Sequence, residues 1–433
     1  MTATGFALLF LFALTCSTVL RLWLGMRQVR HVRQHRGAVP QAFAEGISLS
    51  AHQRAADYTV ARVGLGLVDA LANVFLLIAL TLLGGLQWIY DQFDLCCSGS
   101  PLLAQLGFVA TVAVLGSLLD LPLAWYRQFR LEKRFGFNRM SPALFIADIA
   151  RGTLLAALIG LPMIALVLWL MQQSGSAWWF WVWLAWMSFN LVLLVLYPTV
   201  IAPRFNTFEP LPDNALRDRV ESLLRRCGFT VSGLYVMDGS RRSSHGNAYF
   251  TGFGKAKRIV FFDTLLQRLD ADQIEAVLAH ELGHFRHRHI LKRIALSFVG
   301  SFLGLALLGW LAQQPWFYAG LGMTPGLIGY EGPALVLFML ALPAFVFPMR
   351  PLAAWMSRRD EFEADAYAAG QTEARHLASA LVRLYKDNAT TLTPDPVHSA
   401  FYDSHPPASV RVGRLLGLGA APPGNAPTAG AHA

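Results

Sequence analysis

Seven stretches of about twenty residues with hardly a charge run through this chain, at about residues 4–24, 63–88, 102–126, 153–171, 177–197, 294–312 and 334–355. Each is long enough to cross the ~30 Å hydrocarbon core of a bilayer as a helix. Inside lipid every backbone N–H and C=O must find a partner within its own structure, and runs of this length and texture do so as helices. Only 15% of the 433 residues are charged, against about 25% in an ordinary soluble chain. The fold class is therefore mainly α, a polytopic seven-helix transmembrane bundle.

Charge sets the orientation. MRQVRHVRQHR follows the first run, RQFRLEKRFGFNR the third, and further arginines flank the sixth and the end of the seventh. Basic flanks thus fall on alternate loops, which places the N-terminus outside and the C-terminus in the cytoplasm. The same placement explains the net charge of +9 better than nucleic acid does, so no nucleic-acid partner is expected. Met1 to Gly5 is uncharged and the basic flank comes after the apolar run, so this run reads as a retained anchor. Tryptophans 178, 179, 181, 183 and 186 read as an interfacial belt, YDQFDLCCSGSP as an outer loop, and Pro343, Pro348 and Pro351 as kinks in the seventh span. Four cysteines, two of them adjacent, indicate neither a disulfide framework nor a cysteine metal site. The chain divides into spans one to five with their loops (1–197), a polar segment (198–290), spans six and seven (291–355), a second polar helical segment (356–415) and a disordered tail (416–433).

The polar segment 198–290 carries chemistry. NALRDRVESLLRRCG reads as an amphipathic helix ended by Gly228, and LYVMD, NAYFTGF and KRIVFFD as strands of a small sheet. Next, Asp270 and Gln273 form a capping box, with Leu269 and Ile274 as its staple, ahead of a helix bearing His280-Glu281-Leu282-Gly283-His284. One turn separates the two imidazoles, so both reach one metal from the same face, and Zn²⁺ is the default occupant. Glu281 is rotated off that face, where it can hold the attacking water. His287 and His289 read as interfacial residues beside Arg286 and Arg288, and the sixth span begins about ten residues after His284, roughly 15 Å if the helix continues. A third ligand is sought in SRRDEFEADAYAAG, where spacing alone does not rank Glu361, Glu363 and Asp365. His405 either donates to a developing oxyanion or caps the turn before Pro406-Pro407.

At this point the chain resembles the seven-span CAAX prenyl endopeptidases, integral-membrane zinc metalloproteases. The resemblance rests on LEKRFGFN, IAPRFN, RSSHGNAYFTGFGKAKRIVFFDTLL, HELGH, SRRDEFEAD and SHPPASVR, in that order; only Arg204 of IAPRFN departs from an expected apolar residue. It implies a bundle enclosing a cavity, a small α+β cytoplasmic metalloprotease domain, and one zinc per chain on His280, His284 and Glu361. It further implies Asp365 as the carboxylate behind a ligand imidazole, Arg411 as a buried support, and Asn247 and His405 near the substrate. The NAYFTGF run, through Asn247, Ala248 and Tyr249, is then expected to take an extended substrate as an added strand. Asp69, Asn73, Asp120 and Asn190, in or near the spans, face that cavity or make helix–helix hydrogen bonds. The expected activity is zinc-dependent hydrolysis of peptide bonds in prenylated or membrane-associated proteins at the cytoplasmic face, with the bilayer itself as a partner. A quality-control protease without prenyl specificity is the alternative. A transporter or a non-catalytic membrane factor is disfavoured, by the lack of repeats and by the intact Glu281. The terminal AHA carries no retrieval signal for the ER, which favours a bacterial inner membrane over the ER membrane.

Overall fold

The structure, a computed structural model, describes residues 1–97, 99–251 and 258–419. Seven helical runs in it are long and apolar enough to cross a membrane: Ala3–Gln34, Leu49–Leu80, Pro101–Glu132, Pro142–Gln173, Gly175–Arg204, His289–Leu311 and Glu331–Gln371. Several outrun the apolar stretches that announce them. Helix α1 (Ala3–Gln34) is capped by the Thr2 hydroxyl, and α2 (Leu49–Leu80) by that of Ser48. Much of the polar stretch between the first two apolar runs is therefore helical, because hydropathy marks where lipid ends, not where a helix must. The N-terminal turns of α2 bury Ala55 and Tyr58 against Leu131, Phe135 and Phe137.

At the other end α2 stops before Gly84, whose φ of +80° breaks the helix, and the chain restarts as α3 (Gly85–Cys97). The second span thus ends at 80 and not 88, and the expected outer loop is largely this helix. It is followed by α4 (Pro101–Tyr126), extended by a π-helical turn to Glu132, then α5 (Pro142–Gln173) and α6 (Trp178–Leu196). The tryptophan belt is only partly a belt. Trp178 is buried, and the indole of Trp183 donates to the Phe298 carbonyl while packing edge-on against Phe302.

The polar segment contains α7 (Ala215–Arg226), α8 (Asp263–Leu266) and α9 (Ala271–Arg286) around a four-stranded sheet. Its strands are β1 (Phe208–Pro210), β2 (Gly233–Met237), β3 (Ala248–Thr251) and β4 (Arg258–Phe262), in the order β1-β2-β4-β3. Only the central β2–β4 pair is parallel. Strand β1 gave no sequence signal; three residues ending in Pro210 are too few for an alternation. Residues 252 and 253 of NAYFTGF, and 420–433 of the tail, lie outside the described residues.

Next come α10 (His289–Leu311), α11 (Pro315–Gly320), α12 (Glu331–Val346) and α13 (Arg350–Gln371). A 3₁₀ turn at Phe347–Met349 joins the last two, with Pro348 and Pro351 in opening turns, where a missing N–H costs nothing. This turn is the expected interruption. The division at 355 falls inside α13, so no break separates the seventh span from the segment carrying Glu361. Likewise 415 falls inside α16, the last of three further helices: α14 (Ala374–Asp387), α15 (Pro396–Tyr402) and α16 (Ala408–Gly419).

Apolar packing forms two main cores. One joins the spans with α3 and α11 through Phe10, Leu86, Tyr90, Phe108, Leu168 and Phe317. There Gln105 of α4, buried in lipid-depth packing, donates to Glu331 at 2.9 Å and to the Ile328 carbonyl at 2.8 Å. The other core, built on Val220, Phe261, Leu278, Leu282, Leu377 and Leu415, ties sheet, α9, α14 and α16 together. Each fully buried side chain of this second core contributes roughly 1.5–3 kcal/mol relative to exposure to water. Asn73 and Asn190 donate their amides to carbonyls one turn back, those of Asp69 and Trp186, and among the described residues neither makes a helix–helix hydrogen bond. A cavity of about 260 Å³ beside Asn73, Ser17, Thr18 and Arg21 lies between α1, α2 and α12. A larger one, about 540 Å³, opens between α2 and the α14–α16 helices, with Arg62, Tyr385, Asn388, His398, His405 and Arg411 among its lining.

Candidate metal centre

The capping box is formed: Asp270 accepts from the Gln273 amide at 2.9 Å and Gln273 accepts from the Asp270 amide at 3.2 Å. The apolar stripe Ile274, Leu278 and Leu282 buries one side of α9, which turns His280 and His284 toward α13. The two helices touch at their backbones. A Cβ on Gly283 would sit 2.8 Å from the Ala364 Cα, so only glycine admits this approach. One turn before Ala364 stands Glu361, and the approach brings its carboxylate onto the histidines.

Three ligand-type groups converge there. His280 Nε2 and His284 Nε2 are 3.3 Å apart, His280 Nε2 is 3.5 Å from Glu361 Oε2, and His284 Nε2 is 3.4 Å from Glu361 Oε1. Ligands at 2.0–2.1 Å around a tetrahedral ion are separated by about 3.4 Å, so the triangle of groups has the spacing that zinc requires, each imidazole facing its own oxygen of the one carboxylate. Glu361 Oε2 is buried without a hydrogen-bond partner, although Arg411 Nη1 lies 3.3 Å away. Charge says the same. Glu361, Asp365 and Arg411 are all nearly inaccessible, and two carboxylates against one guanidinium leave a negative charge that a proton on His280, or a metal in its place, must offset. Such a buried charge is costly unless a cation offsets it. The residues present fit a divalent metal.

Asp365 and Arg411 hold the first imidazole. His280 Nδ1 lies 2.9 Å from Asp365 Oδ1, and Arg411 donates to both Asp365 oxygens, at 2.9 and 2.5 Å. This fixes Nδ1 as the outward nitrogen and leaves Nε2 facing the triangle. Burial opposes a charge on His280, but the Asp365 and Glu361 carboxylates outweigh it and push the metal-free imidazole up to about 9. Glu281 is half-buried, and among the described residues no side chain hydrogen-bonds its carboxylate. Burial pushes that carboxyl above its ordinary value, toward the range suited to proton transfer near neutrality.

His405 closes the group from the far side, its Nε2 3.4 Å from Glu361 Oε1 and its ring open to the larger cavity. Arg358, on α13, donates to the carbonyls of Ser399 and Asp403 at 3.2 and 2.9 Å, which ties the loop bearing His405 to the helix bearing Glu361. Asn247, Ala248 and Tyr249 are not joined to the cluster by any hydrogen bond or ion pair among the described residues. Their contacts are with the sheet: the Asn247 carbonyl accepts from Phe262, its side chain accepts from the Ala248 amide, and Tyr249 lies edge-on to Phe262. Strand β3 has β4 on one side and, among the described residues, no strand on the other.

One expectation is overturned. His289 is no interfacial residue: it is 1% exposed, with Nδ1 2.9 Å from His284 Nδ1. Helix α9 does not continue into the sixth span, because Arg288 adopts the left-handed conformation, φ +56°, and folds His289 back onto His284. Glycine or asparagine would have flagged such a turn; an arginine gives no signal. His287 does stay outside, its side chain 40% exposed.

Residues 28–207 match the family described as CAAX prenyl protease N-terminal, five membrane helices, and residues 210–418 match peptidase family M48. The CAAX prenyl protease 1 homolog of Oryza sativa is 32% identical over 402 residues, spanning 89% of this chain and 92% of that protein. CAAX prenyl protease 1 of Saccharomyces cerevisiae is 35% identical over 329 residues, 73% of each chain. Among solved structures, S. mikatae Ste24p superposes with a TM-score of 0.88 at 28% identity, over 95% of this chain and 99% of that one.

Proposed function

The chain belongs to peptidase family M48, with the membrane domain of the CAAX prenyl proteases, and on that premise we propose that this membrane metalloendopeptidase cuts lipid-anchored, CAAX-type substrates at the cytoplasmic face. One zinc per chain is held by His280, His284 and Glu361. The observation that supports the ligand set is the convergence of two Nε2 atoms, 3.3 Å apart, on the two oxygens of one buried carboxylate at 3.5 and 3.4 Å, one of those oxygens lacking a hydrogen-bond partner. When bound, the metal supplies Lewis-acid chemistry, acidifying water and polarising the scissile carbonyl. Glu281 takes the proton from the attacking water and hands it to the leaving amine. His405 donates to the carbonyl oxygen as negative charge gathers on it. Asp365 and Arg411 keep His280 in the tautomer that presents Nε2. Asn247, Ala248 and Tyr249 offer the open edge of β3 to an extended peptide. Basic flanks on alternate loops support a topology with this machinery inside and the N-terminus outside.

A metal entering the site must displace the proton from His280. Because that imidazole is protonated below about 9 in the metal-free protein, zinc affinity should rise by roughly tenfold per pH unit from 6 to 8 and level off above 9. Chelator competition across this range checks it; a flat profile contradicts the assignment of His280.

Substrate class follows from placement. An apolar helix of membrane-crossing length starts at His289, five residues from His284, so hydrocarbon begins close to the chemistry. A buried lipid chain contributes about 0.8 kcal/mol per CH₂, enough to gather lipidated substrates at the site. In nanodiscs, a prenylated peptide should be cut with kcat/KM at least ~10-fold above its unmodified counterpart, both kept monomeric. Equal values would favour a quality-control protease without prenyl specificity.

A further inference from the structure

We propose that His289 is a positioning residue for His284, fixing the tautomer and ring plane of that ligand through a relay that ends on Glu363. This rests on the zinc reading above. If His284 gives Nε2 to a metal, its proton sits on Nδ1. Nδ1 faces His289 Nδ1 at 2.9 Å, and two nitrogens at that distance need one donor and one acceptor. His289 Nδ1 is therefore the acceptor, and its own proton is on Nε2. That nitrogen lies 3.1 Å from Glu363 Oε2 and 3.6 Å from Asp360 Oδ1. Protons then run one way, from His284 to His289 to the carboxylates, and the relay makes His284 a better electron donor on its metal side.

The arrangement completes a symmetry of roles. His280 has Asp365 behind it, with Arg411 balancing the charge; His284 has His289 and Glu363. Holding His289 there costs backbone strain, since a non-glycine residue such as Arg288 is disfavoured in the left-handed region. The rival reading makes His289, Asp360 and Glu363 a second metal site, their ligand atoms lying within 4.8 Å of one another. Its charge is already balanced: Arg293 lies 3.5 Å from Asp360, and Arg359 and Lys292 lie 3.3 and 3.9 Å from Glu363. The His280 cluster has one guanidinium for its two buried carboxylates and needs a proton or a cation for the second, so the metal belongs there and the second group serves it.

The test uses the full chain, purified in detergent, with zinc affinity from chelator competition and visible absorption of the cobalt-substituted protein. His289→Leu keeps the bulk and removes the acceptor; zinc affinity should fall about 10–100-fold and the cobalt bands should shift. His289→Asn returns an oxygen to the Nδ1 position and should recover most of both. Glu363→Gln, which leaves packing untouched, should weaken zinc several-fold. Wild-type affinity and spectrum in folded His289→Leu would overturn the proposal, as would equal losses in the Leu and Asn variants, which would make His289 a packing residue only. Should His289→Leu fail to fold, unchanged zinc affinity in Glu363→Gln overturns it. A wild-type protein that binds no zinc defeats the parent reading as well, whereas a zinc-replete wild type with indifferent variants defeats this one alone.

Discussion

Glu281→Gln should keep one zinc per chain and lose about 10²–10⁴-fold in kcat, with KM little changed. The carboxylate is not among the converging ligand atoms, and no described side chain hydrogen-bonds it, so its removal disturbs neither metal nor fold. Glutamine keeps the shape and one acceptor oxygen but cannot take a proton. Metal content measured beside single-turnover cleavage separates the two effects. Zinc lost together with activity would instead make Glu281 part of the ligand set.

Glu361→Gln should do the reverse, losing zinc first and activity because of it. The fall in affinity should exceed the ~10–100-fold typical of an outer partner, since an anionic ligand is removed. The fold should survive: Arg411 keeps both hydrogen bonds to Asp365, so no buried charge is left alone. Full zinc occupancy in this variant would refute the ligand set. The other carboxylates nearby are engaged, Asp365 with Arg411 and Glu363 with His289, so neither is free to replace it.

The local signals in the sequence proved sound where one stretch of chain decides the outcome. The Asp270 cap, the helix after it and the seven apolar runs depend on neighbours a few residues apart. Helix ends were less legible, because the first turns of α2 bury Tyr58 against Phe135 and Phe137, partners some eighty residues away. Spacing could not rank which carboxylate of α13 joins the two imidazoles. What singles out Glu361 is the contact of Gly283 with Ala364, a fact about two helices and not about either. His289 was misjudged for a related reason: its neighbour His284 is close only because Arg288 takes a conformation that its side chain does not advertise.

The joint at Phe347–Met349 has a mechanical meaning. From Met349 to Glu361 the chain is one uninterrupted helix, so the carboxylate rides at the end of an arm about 18 Å long. A swing of about 1° at the joint moves it by about 0.3 Å, already more than the ~0.2 Å tolerance of a metal–ligand bond. Opposite it, His289 opens the sixth span. Two membrane-crossing helices thus meet at the His280, His284 and Glu361 cluster from different sides, one bearing Glu361 and the other holding His284 through His289. A tilt of either helix, by bilayer thickness or by a wedged lipid chain, should reach that cluster with leverage.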